Sequence, residues 1–281
     1  MRGRSFSVAS GVAARGARRL IGTPLAAVGQ MVIPLFFFTA FTGALSPVGS
    51  TRGFGYYNFT AFEFVFVLFQ GAIFAGVFAA VEIAADYSSG IGNRMMLAAP
   101  RHTAIIVGYL AVGLARAGLW IGVVWAIALA VGMPVRGDTL EITGLIALAL
   151  LLNLATTLWG AGVALRLKNV GSGVLIMIPA FMVMFLSPVV VPRDHLSEWL
   201  KDAAGANPFT PPLEAGRGLL AGEPVRVATA FAAAGGLVIF FAAWAVRGMR
   251  RAEHGPREAP SRRAQRPRPG APTRPAVPRA G

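Results

Sequence analysis

The chain has 281 residues, of which 55% are hydrophobic and only 14% are charged, and its mean hydropathy is +0.62. Soluble globular domains carry about 25% charged residues, so this composition excludes that class and indicates a membrane domain. The formal net charge of +14 does not indicate a nucleic-acid partner, because ten arginines lie together in residues 247–281. A basic tail beside a membrane span instead favours contact with anionic lipid headgroups.

The first segment, residues 1–22, is basic and only moderately apolar. Val8, Val12, Arg15 and Arg19 recur at helical spacing, which predicts an amphipathic helix lying in the membrane interface. A secretory signal peptide is the alternative interpretation. The apolar run that follows is about 22 residues long and is not followed by a small-residue cleavage site, so we expect the segment to be retained.

Six apolar runs follow, each long enough to cross a hydrocarbon core of about 30 Å as a helix. Strands are disfavoured because the runs are continuous rather than alternating, and because helices satisfy their own backbone hydrogen bonds. The predicted spans are residues 24–45, 60–85, 103–132, 142–165, 170–191 and 227–247. The sequence therefore predicts an all-α integral membrane protein with six transmembrane helices.

The distribution of lysine and arginine between the loops predicts the orientation. Most of these residues lie on one side if the N-terminus is cytoplasmic, and an even number of spans then places both termini inside. We predict a multi-pass plasma-membrane protein with a permease domain at residues 1–248. Residues 249–281 are predicted to form a disordered Pro- and Arg-rich cytoplasmic tail. Residues 192–226 are predicted to form short helices at the outer interface.

Patterns that carry enzymatic chemistry are missing from the sequence. A phosphate-binding GxxxxGK[ST] loop needs glycine before its lysine, whereas Lys168 and Lys201 both follow leucine. The three histidines are scattered and the chain has no cysteine, so zinc-protease and thiolate chemistry are not indicated. We expect no catalytic residue, no metal site and no cofactor site in this chain. An intramembrane enzyme is disfavoured because the spans offer few nucleophiles or carboxylates.

Three ionisable residues lie within the predicted spans, where a charge costs about 2.5–3.5 kcal/mol on insertion scales. Glu63 lies near the outer end of the second span and is expected to reach the headgroups. Arg116 is expected to pair with Glu82 or Asp86 on the antiparallel neighbour. A direct contact between Arg116 and a substrate is the alternative.

Two stretches rich in aromatic residues and methionine are candidates for lining an apolar cavity. They contain Phe36, Phe37, Phe38 and Phe41 in the first span, and Phe181, Met182, Met184 and Phe185 in the fifth. Such surfaces suit an amphiphilic substrate. Lipid contact and helix packing are the alternative interpretation.

A polar, glycine-bearing segment, residues 86–101, separates the second and third spans. Gly90 and Gly92 permit a tight bend, and the apolar residues at 95–97 predict one face of a short helix that Pro100 ends. A short helix displayed by two long ones can fit a cleft of a soluble partner and transmit rigid-body motion. The alternative is an ordinary cytoplasmic loop with an interfacial helix.

Three features in fixed order carry a resemblance to a known family. They are the basic amphipathic start, the pattern Asp86–Gly90–Arg94–Pro100–Arg101, and Asn207-Pro208-Phe209-Thr210 followed by Glu214-Ala215-Gly216-Arg217 and Gly222. Together they resemble ABC-2 type transporter permeases, most closely actinobacterial drug-resistance permeases of the daunorubicin-exporter kind. The resemblance covers roughly residues 7–248.

The resemblance implies two permease subunits and two cytoplasmic ATPases, with ATP bound and hydrolysed on the partner. It also implies a cytoplasmic coupling helix between the second and third spans. The residues that it assigns to the contact with the ATPase are Asp86, Gly90, Arg94, Pro100 and Arg101. The chain departs from the family at Asn93, where an acidic residue often precedes the arginine, and at Tyr109 and Val112, where relatives often have Arg and Asp.

These observations predict the permease subunit of an ATP-binding-cassette exporter for a hydrophobic or amphiphilic small molecule such as a drug, an antibiotic or a lipid-like compound. The expected partners are a cytoplasmic ABC ATPase, membrane lipids, and a second copy of the chain or a sibling permease. The alternative is a membrane anchor that recruits a soluble partner and transports nothing. Only the exporter predicts a partner ATPase that responds to substrate.

Overall fold

The described part of the chain is all-helical. The computed structural model describes residues 2–22, 24–45, 47, 49, 54–99 and 102–254, with side chains at all of these except 2–5, 24–28, 30–31 and 252–254. Within this part there are ten α-helices and no strand. The helices are α1 (Arg2–Gly22), α2 (Pro24–Leu45), α3 (Phe59–Ser88), α4 (Ile91–Ala98), α5 (Thr103–Ala130), α6 (Thr139–Leu167), α7 (Ser172–Phe185), α8 (Glu198–Ala206), α9 (Thr210–Ala221) and α10 (Val227–His254).

Four of the described helices, α3, α5, α6 and α10, are long and apolar enough to cross a membrane. They correspond to the second, third, fourth and sixth predicted spans. The other two predicted spans correspond to α2, which is apolar over Val32–Leu45, and to α7. At a rise of about 1.5 Å per residue, α7 is only about 21 Å long, which is less than the hydrocarbon thickness. The six-span topology therefore stays a prediction.

The fifth predicted span is helical over a shorter range than expected. Its helix ends at Phe185 rather than continuing to residue 191. Pro188 has no N–H to donate and disfavours a further helical turn, although α7 itself contains Pro179. Ser187 and Val189 are nevertheless buried. The backbone here is therefore irregular inside the protein, where its carbonyl groups need donors from elsewhere.

The central helix is α3, which packs against α2, α4, α5, α6, α7 and α9. Apolar residues lie on all of its sides, as expected for a helix surrounded by other helices. Small residues at the contacts allow α5 and α6 to pack closely on α3. Gly71 lies against the ring of Trp120 on α5, and Ala80 lies against Gly160 on α6. Asn153 of α6 adds a polar contact by donating from Nδ2 to the carbonyl oxygen of Ala72 at 2.8 Å.

We expect Gly71→Ala to destabilise the protein, because the added Cβ would overlap the buried indole ring of Trp120. Overpacking of this kind costs about 1–3 kcal/mol. The midpoint of thermal unfolding in detergent should fall accordingly. Gly118→Ala on α5 is the matched control, because a Cβ there meets nothing within 4 Å. Equal midpoints for the two variants would contradict the close packing of α3 on α5.

The last helix is longer than the predicted sixth span. Helix α10 continues to His254, past the predicted boundary at residue 248, and the rest of the predicted tail, residues 255–281, lies outside the described residues. Residues 192–226, the predicted outer segment, contain the two short α-helices α8 and α9. One of them, α9, packs against α3, α6 and α10, and most of its residues are buried rather than interfacial.

Candidate coupling site at the end of the central helix

The short helix α4 is joined to the end of α3 by a tight turn. Gly90 has a φ of +80°, in the left-handed region that favours glycine. Gly92 is buried against the ring of Tyr87, and a Cβ at this glycine would lie 2.5 Å from Tyr87 Cγ. Gly90 and Gly92, both predicted to form the bend, therefore have different structural roles. Gly90 reverses the chain, and Gly92 lets α4 lie directly on α3.

The two sides of α4 have different surroundings. Met95 and Met96 are partly buried and pack against the core cluster between α3, α5 and α6. Leu97, predicted to share their apolar face, points away and is 81% exposed. Asn93 and Arg94 are also exposed and lie three or four residues before Leu97, on the same side of the helix. We call Asn93, Arg94, Leu97 and Ala98 the α4 outer face.

Two of the predicted contact residues, Pro100 and Arg101, lie outside the described residues. Arg94 is on the α4 outer face and Gly90 forms the turn that precedes it. Asp86 is not on that face. It is 2% exposed and lies inside the protein, in the last turn of α3. The described members of the predicted set are therefore divided between the exposed helix α4 with its turn and a buried site in α3.

The buried site is formed by Asp86 with three residues from two other helices. Arg15 of α1 donates from Nη2 to Asp86 Oδ2, and Arg19 Nη2 lies 3.6 Å from Oδ1. The hydroxyl of Tyr109 on α5 donates to Oδ2 at 2.5 Å. We call Arg15, Arg19, Asp86 and Tyr109 the Asp86 cluster. It joins α1 and α5 to the point where α3 turns into α4.

Helix α1 reaches this cluster because it lies closely on α5. Gly16 of α1 faces the side chain of Val112. Gly108 of α5 faces Val12, and a Cβ at Gly108 would lie 2.8 Å from the carbonyl oxygen of Ala9. Two glycine-against-valine contacts therefore bring the helices together. Val112 lies in one of these contacts and Tyr109 in the Asp86 cluster, and they are two of the three positions at which the sequence was expected to depart from the family that it resembles.

The ion pair predicted for Arg116 lies one helical turn before Asp86. Arg116 Nη2 of α5 lies 2.8 Å from Glu82 Oε1 of α3, and the Arg116 side chain is 6% exposed. Of the two acids considered for Arg116, the structure brings it to Glu82, whereas Asp86 binds Arg15. Successive acidic residues on one face of α3 thus join this helix first to α5 and then to α1.

A further polar site, missed by sequence reasoning, lies at the opposite end of α3. Arg217 of α9 is 2% exposed and donates three hydrogen bonds to backbone carbonyl oxygens. The acceptors are Phe62 at 3.1 Å from Nε, Pro188 at 2.6 Å from Nη1 and Val189 at 2.7 Å from Nη2. These bonds satisfy part of the irregular backbone after α7. The guanidinium carbon also lies 3.3 Å from the centre of the Phe62 ring.

Glu63 lies close to this arginine and does not reach the headgroups as predicted. Its side chain is fully buried, and neither carboxyl oxygen has a hydrogen-bond partner. Burial lowers the pKa of Arg217 to about 10, a shift that the nearby Glu63 opposes, so the guanidinium is charged at neutral pH. The available sequence signal was the pair of glycines that flank Arg217, which allow a helix to pack closely.

The four apolar spans and the short helices between them define a multi-pass helical membrane protein. Among the described side chains, no group of three His, Asp or Glu residues could hold a metal ion. Residues 11–221 match the family described as ABC-2 type transporter, and the chain belongs to that family. No curated protein matches the chain.

Membership identifies the chain as a membrane permease component of an ABC transporter. The matched domain is the transmembrane component rather than the ATPase, and such domains generally partner with an ABC ATPase subunit. The matched range includes most of α1 and all of α2 to α9, and therefore contains both the α4 outer face and the Asp86 cluster.

Proposed function

We propose that this chain is the permease subunit of an exporter in the plasma membrane and that a separate cytoplasmic ATPase acts on the α4 outer face. The observation that carries the proposal is a short helix with an exposed Arg94 and Leu97, fixed rigidly to the most buried helix of a family member. An exposed leucine beside an arginine suits a protein interface, in which both residue types can be buried.

The proposed movement passes from α4 to the spans through three contacts. Gly92 against Tyr87 fixes α4 to α3, Asp86 joins α3 to α1, and the Glu82–Arg116 pair joins α3 to α5. Closure of the ATPases on ATP would displace α4, and α3, α1 and α5 would follow as one body. The permease would then change between inward-facing and outward-facing forms. Pro100 and Arg101 are proposed to extend the same contact.

The proposed cargo is a hydrophobic or amphiphilic small molecule, such as a drug, an antibiotic or a lipid-like compound. The support is an aromatic surface between α2 and α7. The ring centroids of Phe37 and Phe185 are 5.6 Å apart, and those of Phe181 and Phe185 are 5.9 Å apart. Phe36 and Met182 extend this surface outward and are exposed. We propose that a second copy or a sibling permease faces it, with the cargo between them.

The double variant Gly90→Leu with Arg94→Leu is expected to reduce ATP-dependent transport by about tenfold or more while the protein still inserts. Leucine at a left-handed position costs about 1–2 kcal/mol and disturbs the turn, and the second change removes the exposed charge from α4. The measurement is ATP-dependent uptake of a lipophilic fluorescent dye into inverted membrane vesicles that contain the chain and its ATPase.

Arg18→Leu is the matched control, because Arg18 is an exposed arginine on α1, on the side predicted to be cytoplasmic. Its uptake should equal that of the unmodified chain. Unchanged uptake by the double variant would contradict the proposal. If the unmodified chain binds an ATPase whose activity no amphiphile changes, the membrane-anchor alternative is favoured instead.

A further inference from the structure

A lateral apolar cleft opens between α7 and α10 and has α6 as its floor. Its volume is about 190 Å³. Ala155 and Trp159 of α6 lie at the floor, Val183 of α7 on one wall, and Leu237 and Phe241 of α10 on the other. Helices α7 and α10 each pack on neighbouring helices, α6 among them. The lining is almost entirely apolar, so the cleft suits an apolar group.

The polar groups of the cleft are already used within the protein. Thr156 donates from Oγ1 to the carbonyl oxygen of Leu152 at 2.8 Å. Trp159 donates from Nε1 to the carbonyl oxygen of Ile176 at 3.4 Å. The occupant of the cleft therefore gains no hydrogen bond from these donors, and the lining favours hydrocarbon.

A cluster of arginines lies beyond one end of the cleft. Gly248 of α10, next to Arg247, faces Arg166 of α6, because a Cβ at this glycine would lie 2.8 Å from Arg166 Nη1. The positive charges of Arg247 and Arg251 act on the Arg166 guanidinium. Arg247 and Arg251 are exposed, and among the described side chains no carboxylate pairs with either. Arg166 itself is held by the carbonyl oxygens of Gly162 and Trp244. An anion bound near Arg166, Arg247 and Arg251 would therefore be stabilised by charge-assisted contacts.

A column of stacked rings connects the arginines to the cleft. The guanidinium carbon of Arg166 lies 3.6 Å from the centre of the Trp244 ring. Trp244 is stacked on Trp159 at 5.8 Å, and Trp159 lies 5.5 Å from Phe241 in the cleft wall. Arg166 is seven residues after Trp159 on α6, which corresponds to about 10 Å along the helix axis. Tryptophans between a charged end and an apolar cleft are typical of the membrane interface.

We propose that this face binds an anionic phospholipid, with its phosphate at Arg166, Arg247 and Arg251 and one acyl chain in the cleft. Charge complementarity selects this occupant, because a second copy of the same basic and apolar surface would leave the guanidinium groups without counter-charges. The proposal rests on the proposed orientation only in assigning the lipid to the cytoplasmic leaflet. It is independent of whether the chain transports anything.

The test uses the full chain in bilayer discs, with phosphatidylglycerol or phosphatidylcholine that carries brominated acyl chains. Bromine quenches tryptophan fluorescence at contact distance. The chain has five tryptophans, so Trp120, Trp125 and Trp199 are changed to phenylalanine and the remaining two report on the site. At equal mole fraction, brominated phosphatidylglycerol should quench several-fold more than brominated phosphatidylcholine. Lipid lies in both leaflets, so the result does not depend on orientation or on transport.

The double variant Arg247→Gln with Arg251→Gln should bring the quenching by the two lipids close to equal, since each arginine near a membrane surface attracts anionic lipid. Arg18→Gln is the matched control, because Arg18 is an exposed arginine elsewhere in the protein. This variant should keep the preference for phosphatidylglycerol. Ala155→Leu, which fills the cleft, should reduce quenching by both lipids. As a check independent of variants, the preference should weaken with salt.

Equal quenching by the two lipids would overturn the proposal. It would also be overturned if the double arginine variant kept the full preference, or if Ala155→Leu were quenched as strongly as the unmodified protein. Absence of quenching by both lipids, together with cross-linking of two chains through this face, would assign the cleft to a second copy instead.

Discussion

Asp86→Asn is expected to abolish most ATP-dependent transport while the protein still folds and inserts. Asparagine keeps the shape of the side chain and can still accept the hydrogen bond from Tyr109, but it loses the ion pair with Arg15. Removing one member of a fully buried pair costs about 3–5 kcal/mol. The cost here should be smaller, because the Arg15 side chain is 35% exposed and can turn to water. We therefore expect Asp86→Asn to weaken mainly the attachment of α1 to α3, with little loss of stability in the rest of the protein.

Two measurements check this result together. Dye uptake into inverted vesicles should fall by about tenfold or more, and amide hydrogen exchange in α1 should become faster while exchange in α3 and α5 stays slow. Asp202→Asn is the matched control, because that acid is exposed on α8. Arg15→Gln should produce the same defect, and combining it with Asp86→Asn should add little. Full transport by Asp86→Asn would show that α1 need not be held by this cluster.

The second large effect is expected for Arg217→Met, which should destabilise the fold by several kcal/mol. Methionine fills much of the same space but leaves the carbonyl oxygens of Phe62, Pro188 and Val189 without their donor. A buried polar group without a partner costs about 1–3 kcal/mol. Lysine is not an adequate replacement, because a single ammonium group lacks the planar fork that contacts all three carbonyls. Arg217→Met and Arg217→Lys should both give less folded protein by size-exclusion chromatography and a lower midpoint of thermal unfolding.

Arg226→Met is the matched control for this variant, because Arg226 is an exposed arginine in the connection that follows α9. It should unfold at the midpoint of the unmodified chain. Glu63→Gln added to Arg217→Met should recover part of the lost stability, since a neutral side chain needs no opposing charge in a buried site. An unchanged midpoint for Arg217→Met would contradict the bridging role of this arginine.

The long helices could be predicted from the sequence because each is specified by its own residues. A continuous apolar run of sufficient length can satisfy its backbone only as a helix in a membrane, and this rule predicts α3, α5, α6 and α10. The bend at Gly90 is local in the same sense. Glycine tolerates its left-handed backbone, and the structure has φ +80° there.

The missed features depend on residues that are distant in the chain. Arg15 and Asp86 are 71 positions apart, and Arg217 is 155 positions from Phe62. Hydropathy placed Arg217 in an outer loop and Glu63 at the headgroups, because it cannot show that α9 folds back against α3. The end of α7 had a local signal in Pro188, but the acceptor role of its carbonyl oxygen becomes visible only with Arg217 in place.

The orientation of side chains on α4 was only partly predictable. The apolar residues at 95–97 indicated one face. The orientation of an eight-residue helix about its axis, however, depends on the residues against which it packs. Gly92 lies on Tyr87, and this contact turns Met95 and Met96 inward and leaves Leu97 outside. The exposed leucine is the part of the site that only the structure identifies.

Cross-linking from Leu97 tests the central claim most directly, namely that a separate ATPase acts on the α4 outer face. The chain has no cysteine, so Leu97→Cys carries a photoreactive maleimide at a single position. Leu140→Cys, an equally exposed leucine at the start of α6, is the control. In vesicles that contain the chain and its ATPase, Leu97→Cys should capture a protein that azido-ATP labels, and Leu140→Cys should not. Capture from both positions alike, or a captured protein that binds no ATP, would contradict the account.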